Sequence, residues 1–316
     1  MATGSHGSKL FSILCLSAVI GGTVGMYATV LQGSRPPVDV AVRPAPAVVA
    51  EVPVGLSGED VASAARLDRA FRRMGYQLDA IRIGTAEVPP LFLAQVPHDL
   101  DDMPDPDSRK ALFLRVMLPL VLAANEEIAE DRARLQSLLA RKAARQSLTH
   151  PDQVWLKALA ERYEVEDGDM NRLLARVDIV PPSLALAQAA EETGWGTSRL
   201  VRRSRNLFGH TADTASDETG MRQFGSLQDA VRAYLLNLNT HRAYDGLRRA
   251  RMKARAKGHQ PDGHQLADAL RAYSERGEAY VGTIRSLIRR NDLVALDNAR
   301  LGRVLPVRLA SAGFAP

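Results

Sequence analysis

Cysteine is all but missing, Cys15 being the only one in 316 residues. An intramolecular disulfide and a cysteine-based metal site are therefore excluded. Cys15 lies inside the first hydrophobic segment, so the rest of the chain has no thiol chemistry, and cysteine usage says nothing of the compartment. Also missing are an HExxH pair, a P-loop, an RNP signature and zinc-finger spacing, which leaves zinc-protease, nucleotide and nucleic-acid chemistry without a motif. His210, His241, His259 and His264 lack the close spacing of a metal site. No metal, no cofactor and no nucleic-acid partner are expected. Long alternating apolar and polar runs are absent too, which removes the signature of half-buried strands and predicts a mainly α fold. No internal repeat is visible.

What is present begins with a formal charge of +5 and a pI near 9.5. That balance suits an anionic polymer such as cell wall, or a membrane surface. Residues 1–31 end in an uncharged, mostly apolar run from Leu10 to Leu31, about the 20 residues needed for one bilayer crossing. An anchor and a cleaved secretory peptide both fit. The length of the run and the lack of an Ala-x-Ala site after it favour a single-pass anchor through residues 10–31. Residues 32–56, rich in Pro, Val and Ala, read as an extended linker.

Residues 57–150 read as a helical N-terminal subdomain. Ser57 and Asp60 make a capping-box-like start, Gly75 closes the first helix, and Leu91, Phe92 and Leu93 tuck inward from a loop. A long helix capped by Ser108 follows, kinked at Pro119, its apolar half ending at Asn125-Glu126-Glu127 and its charged half running to about Gln146. Residues 151–296 hold further helices at about 152–164, 168–177, 226–238, 240–256, 264–273 and 278–290, with a polar loop or short hairpin over 211–224. Residues 297–316 read as a tail. The basic run Arg248, Arg249, Arg251, Lys253, Arg255 and Lys257 reads as a solvated helix face.

One stretch breaks the local rules. Pro181 to Ala190 is a short helix, apolar around most of its circumference, that starts at a double proline and stops at Gly194. A helix apolar on all sides is buried, yet Glu191 and Glu192 stand at its end. Burial and the negative end of the helix dipole both push a carboxyl pKa upward, which is what a general acid near neutral pH requires. Chemistry of that kind fits either glutamate. Trp195, in the following Gly-Trp-Gly turn, can wall such an acid's pocket, stack on a sugar ring, or fill core.

The motifs Ala190-Glu191-Glu192-Thr193-Gly194-Trp195-Gly196, Asn206-Leu207-Phe208-Gly209, and Arg271-Ala272-Tyr273-Ser274 through Tyr280 occur in this order. Together they resemble the bacterial glucosaminidase domain of glycoside hydrolase family 73. Leu114 through Glu127, Leu238 through Tyr244, and Tyr273 through Tyr280 are similar to the Bax-type proteins within it. The likeness covers roughly residues 60 to 295. It implies a lysozyme-like helical lobe with a reduced β-hairpin lobe, and cleavage of β-1,4 bonds of N-acetylglucosamine in peptidoglycan glycan strands by an endo-β-N-acetylglucosaminidase. The inner membrane would hold the chain, with the catalytic domain in the periplasm.

It also selects Glu192 as the general acid and leaves Glu191 structural or modulatory. Tyr273 matches the family tyrosine that sits near the acid, whereas Tyr280 and Tyr244 match in sequence but read more readily as packing. Substrate-binding positions implied are Trp195, Asn206, Phe208, Gly209 and Tyr244. Family members often supply a second carboxylate from a lobe that this chain shortens to residues 211–224. Of Asp213, Asp217 and Glu218 there, Glu218 ranks first, and the substrate's own acetamido group is the alternative. A lytic transglycosylase and a non-catalytic wall-binding scaffold are the rival functions.

Overall fold

The computed structural model describes residues 56–166, 168–211 and 221–302. The expected anchor at 10–31, the linker up to residue 55, Asp213, Asp217, Glu218 and residues 303–316 lie outside the described residues. Eleven α-helices and several short 3-10 turns make up what is described, and the β-structure among the described residues is confined to the isolated bridges Val88–Leu301 and Thr211–Met221. The mainly α expectation is met. Among the described residues no helix is long and apolar enough to cross a membrane.

α1 (Ala64–Arg73) and α2 (Leu78–Arg82) come first. The capping box is real but heads only a turn: Ser57 N–H donates to Asp60 Oδ2 at 2.9 Å and Asp60 N–H donates back to Ser57 Oγ at 3.1 Å. The helix itself starts later, where Ser63 Oγ accepts from Arg66 N–H. α3 (Pro106–Ala143) is one 38-residue helix whose cap is Asp105 rather than Ser108. It runs through both Pro119 and Asn125 without ending. Asn125 is buried, and its amide brackets Val180, donating to the Val180 carbonyl at 2.7 Å and accepting from its N–H at 3.1 Å. A polar group inside an apolar run is tolerated here because both of its hydrogen-bonding ends are used.

α4 (His150–Arg162) and α5 (Met170–Arg176) lead to α6 (Pro182–Thr193) and α7 (Arg199–Ser204). Beyond the hairpin base come α8 (Leu227–Thr240), α9 (Asp245–Ala256), the single turn α10 (Gly263–Leu266) and α11 (Glu278–Arg290). α6 lies at the middle of the fold, packed on α3, α10, α11 and the 3-10 turn Val294–Leu296. Every residue from Pro182 to Ala190 is buried, as all-round apolarity predicts; Leu184 and Leu186 alone contribute about 1.5–3 kcal/mol each. One apolar cluster runs from Leu56 to Leu296, so the segments before and after residue 150 share a core.

The basic run of α9 is a correction. Arg249, Lys253 and Lys257 face solvent, but Arg248 and Arg251 are buried and Arg255 is half-buried. Their helical spacing turns them inward: Arg248 onto the Leu238 and His241 carbonyls at the end of α8, Arg251 onto the carbonyls between α5 and α6, and Arg255 onto the Asp178 carboxylate. Arg251 donates to Ala175, Asp178 and Ile179 carbonyls at 2.9–3.0 Å and to Asn239 Oδ1 at 2.7 Å. The buried Asp178 carboxylate takes a two-pronged bond from Arg255 at 2.6 and 2.7 Å and has Arg132 at 3.7 Å. Buried charge is tolerable only when so paired, and this cluster fixes the point at which the chain enters α6.

The tail read at 297 also begins later. Asp297 accepts from Ser183 N–H at 2.7 Å and Ser183 Oγ–H at 2.8 Å, supplying the first turn of α6 with the acceptor that Pro181 lacks. Burial raises its pKa to about 6.

Candidate active site

The C-terminal end of α6 is a complete Schellman turn. Gly194 adopts φ 57°, ψ 45°, its N–H pointing to the Glu191 carbonyl at 3.5 Å, while Trp195 N–H donates to the Ala190 carbonyl at 2.9 Å. Thr193 locks the turn, donating to Ala189 O at 2.6 Å and accepting from Gly196 N–H at 2.7 Å. Gly196 has no alternative, because a Cβ there would stand 2.9 Å from Phe113 and 3.0 Å from Leu100. Trp195 itself sits at φ 62°, a left-handed conformation costly for a non-glycine residue and concentrated at functional sites. Thr193, Gly194 and Gly196 thus each have a geometric reason, and their joint effect is to hold Glu192 on the last full turn of a buried helix.

Glu192 is partly exposed. Burial raises its carboxyl pKa to about 7; a hydrogen bond from Tyr280 and the charge of Arg276 act downward, and Glu191 acts upward. Tyr280 Oη–H donates to Glu192 Oε1 at 2.8 Å. Glu191 points elsewhere, to Arg276 Nη1 at 2.6 Å. The two neighbouring glutamates therefore differ in kind: one is paired with a cation, the other is a desolvated acid held by a phenol.

The remaining predicted positions separate. Tyr273 donates to the Phe208 carbonyl at 2.9 Å and stacks on Tyr280 with ring centroids 5.4 Å apart, so it supports the phenol that meets Glu192. Both tyrosines match the motif; the hydroxyl bonded to Glu192 is that of Tyr280, with Tyr273 stacked beside it, and only packing decides which one points at the carboxylate. Asn206 is fully buried, its side chain bonded to the His210 carbonyl at 2.6 Å, the Arg222 carbonyl at 3.0 Å and the His210 N–H at 2.9 Å. It pins the base of the hairpin. Phe208 is buried and stacked on Tyr234 at 3.8 Å, so its contribution is its carbonyl. Tyr244 is buried against Tyr273. Gly209 lies beside the acid, a Cβ there falling 3.6 Å from Glu192 Oε2. Trp195 is partly exposed, edge-on to Phe113 with the Lys110 ammonium 5.9 Å from its ring centre.

Two residues were missed altogether. Gln188 Nε2–H donates to Tyr280 Oη at 3.0 Å, and Tyr234 Oη–H donates to Gln188 Oε1 at 2.6 Å. The signal was available: Gln188 is the one amide in a run of Ala and Leu, four residues before Glu192 and hence on the same helix face.

Among the described residues no group of three His, Cys, Asp or Glu side chains is placed to hold a metal. Two concavities of about 460 and 510 Å³ lie on other surfaces, one beside Arg72, Arg82 and Arg115, the other beside Arg132 and Arg255. Neither is lined by Glu192.

Residues 169–293 match the glucosaminidase family described as mannosyl-glycoprotein endo-beta-N-acetylglucosaminidase. The chain is also 34% identical to "Protein bax" of Escherichia coli (strain K12) over 194 residues, which is 58% of this chain and 69% of that protein. The chain belongs to the Bax-type glucosaminidase family. No solved structure matches it. The glucosaminidase match spans α5 through α11, and so takes in Gln188, Glu192, Tyr234, Tyr273 and Tyr280, whereas α1 to α4 precede it. Membership makes a glycoside hydrolase acting on glycan the coarse reading of the site.

Proposed function

We propose that this glucosaminidase is a peptidoglycan hydrolase, an endo-β-N-acetylglucosaminidase that cleaves β-1,4 bonds of wall glycan with Glu192 as general acid. The observation that carries the reading is the chemistry of Glu192: a desolvated carboxyl with a pKa of about 7, bonded to Tyr280 and free of any bonded cation. At neutral pH such a group keeps a useful fraction of its proton. The proton passes to the glycosidic oxygen, the C1–O bond breaks, and positive charge develops at C1. Among the described residues the other carboxylate acting on Glu192 is Glu191, which is engaged by Arg276. Attack at C1 then comes from a carboxylate of the hairpin or, where none serves, from the substrate's acetamido oxygen, followed by addition of water. Glu218 remains the candidate for a second carboxylate from the hairpin. A lytic route shares the single acid, its nucleophile being the muramic 6-hydroxyl.

Residues 10–31 would anchor the chain in the inner membrane, with residues 32–56 spacing residues 57–150 and the catalytic segment 151–296 from it on the periplasmic side. The test is digestion of purified sacculi with mass spectrometry of the products. Reducing-end N-acetylglucosamine is expected; anhydro-muramic ends would establish the lytic route, turnover undiminished in Glu192→Gln would overturn Glu192 as the acid of either route, and a wild-type chain that binds sacculi without cleaving them would leave the wall-binding scaffold.

A further inference from the structure

Gln188 is fully buried in α6, where an amide is costly unless both of its ends are bonded. It meets Tyr280 through its nitrogen and Tyr234 through its oxygen. A phenol carries a single hydrogen. The bonds therefore share one direction: Tyr234 donates to Gln188, Gln188 donates to Tyr280, and Tyr280 donates to Glu192. We propose that Gln188, held in one amide orientation by Tyr234, is a positioning residue that commits the Tyr280 hydroxyl proton to Glu192 and so tunes the acid. The proposal rests on the general-acid reading of Glu192 given above.

The physical reason is that the opposite orientation fails at both ends. With the amide turned over, its oxygen would face Tyr280 and compete for that hydrogen, presenting ionised Glu192 with an oxygen lone pair. At the far end Tyr234 would lose the acceptor it now has. Tyr234 is itself buried, and burial holds its phenol well above the ordinary range, so it stays a donor throughout the working pH range. Its ring is fixed by stacking on Phe208 at an interplanar angle of 6°. The relay thus ties the acid to the Asn-Leu-Phe-Gly motif without any of its inner members touching substrate. Other charged and titratable groups act on Glu192 from each side. Glu191 precedes it on α6, Arg276 stands before α11, and the Tyr234 and Tyr244 phenols feel its charge from α8 and the turn that follows. Glu191 and Arg276 are bonded to each other, so their opposed effects partly offset and leave Tyr280 as the hydrogen bond that distinguishes the acid.

The decisive measurement is the carboxyl-carbon NMR titration of Glu192, identified by its loss in Glu192→Gln, in the intact chain without glycan. Tyr280→Phe is expected to raise the Glu192 pKa by roughly one unit or more, since a charge-assisted bond is lost. Tyr234→Phe and Gln188→Met are expected to move it the same way by roughly half a unit, through loss of orientation and polarisation. The alkaline limb of sacculus turnover should move upward in step. Tyr234→Phe keeps the stacked ring, so thermal melting near wild type would show that the shift is not a folding defect. If Tyr234→Phe and Gln188→Met titrate as wild type while Tyr280→Phe shifts, Gln188 is a packing group and the proposal is overturned. A wild-type chain inert on sacculi would overturn the function reading, while the substrate-free titration would still decide the relay.

Discussion

Replacing Glu192 by Gln should make the protein more stable while abolishing its proposed chemistry, and the pH dependence of that gain tests the site directly. Burial places the folded-state pKa at about 7 against 4.5 for an ordinary glutamate. Between those values the native state keeps a proton that the unfolded chain releases, so unfolding free energy falls as pH rises through the window. Below about pH 4.5 both states are protonated and no penalty exists. Above about pH 7 the penalty is complete. The gap of about 2.5 pKa units, at about 1.4 kcal/mol per unit, sets an upper bound of about 3.5 kcal/mol; the residual exposure of Glu192 brings the expected gain to about 2 kcal/mol. Gln is isosteric and can still accept from Tyr280, so packing and the hydrogen bond are retained. Denaturant unfolding of wild type and Glu192→Gln at pH 4 and pH 8 reads the effect, with coincident curves expected at pH 4 and a more stable variant at pH 8. Equal stability at pH 8 would refute the argument that Glu192 is a desolvated acid, whatever happened to turnover.

Other perturbations test how the acid is delivered. Gly196→Ala should destabilise by roughly 1–3 kcal/mol through collision with Phe113 and Leu100, measurable by thermal melting, and should lower activity by displacing Trp195. Gly263→Ala should be worse, because its Cβ would fall 2.1 Å from Ser183 Oγ and 2.9 Å from the Leu184 nitrogen, at the first turn of α6; failure to accumulate as folded protein is the expected result. Arg251→Ala should cost about 3–5 kcal/mol by orphaning buried carbonyls and unbalancing Asp178, and Arg251→Lys should not rescue it in a denaturation assay, since an ammonium cannot span the acceptors on both guanidinium arms.

Much of this was legible in the chain because it depends on local rules. All-round apolarity from Leu184 to Ala190 meant burial, Gly194 meant a helix stop, and the conflict between a buried helix and a terminal carboxylate marked the site. Ser63, Asp105 and Thr149 cap their helices as such residues do, though in the first two cases the helix began one or two turns away from where the nearest signal put it. The inward arginines of α9 depart from the solvated face expected of them for one reason: polarity predicts exposure only until a tertiary partner is supplied. Asn125 finds Val180 across 55 residues of sequence, and Arg251 finds Asp178 across 73.

The sequence by itself therefore determined the class of fold, the buried helix that ends in Glu191 and Glu192 and, through its motifs, the family. Those follow from periodicity, capping and short-range turn chemistry, which act within a few residues. The tertiary structure alone decided which tyrosine meets Glu192, that Glu191 is occupied by Arg276, and that a buried glutamine fixes the direction of the bonds between them. Such choices depend on distances between side chains 46 to 92 residues apart, and no local rule encodes them.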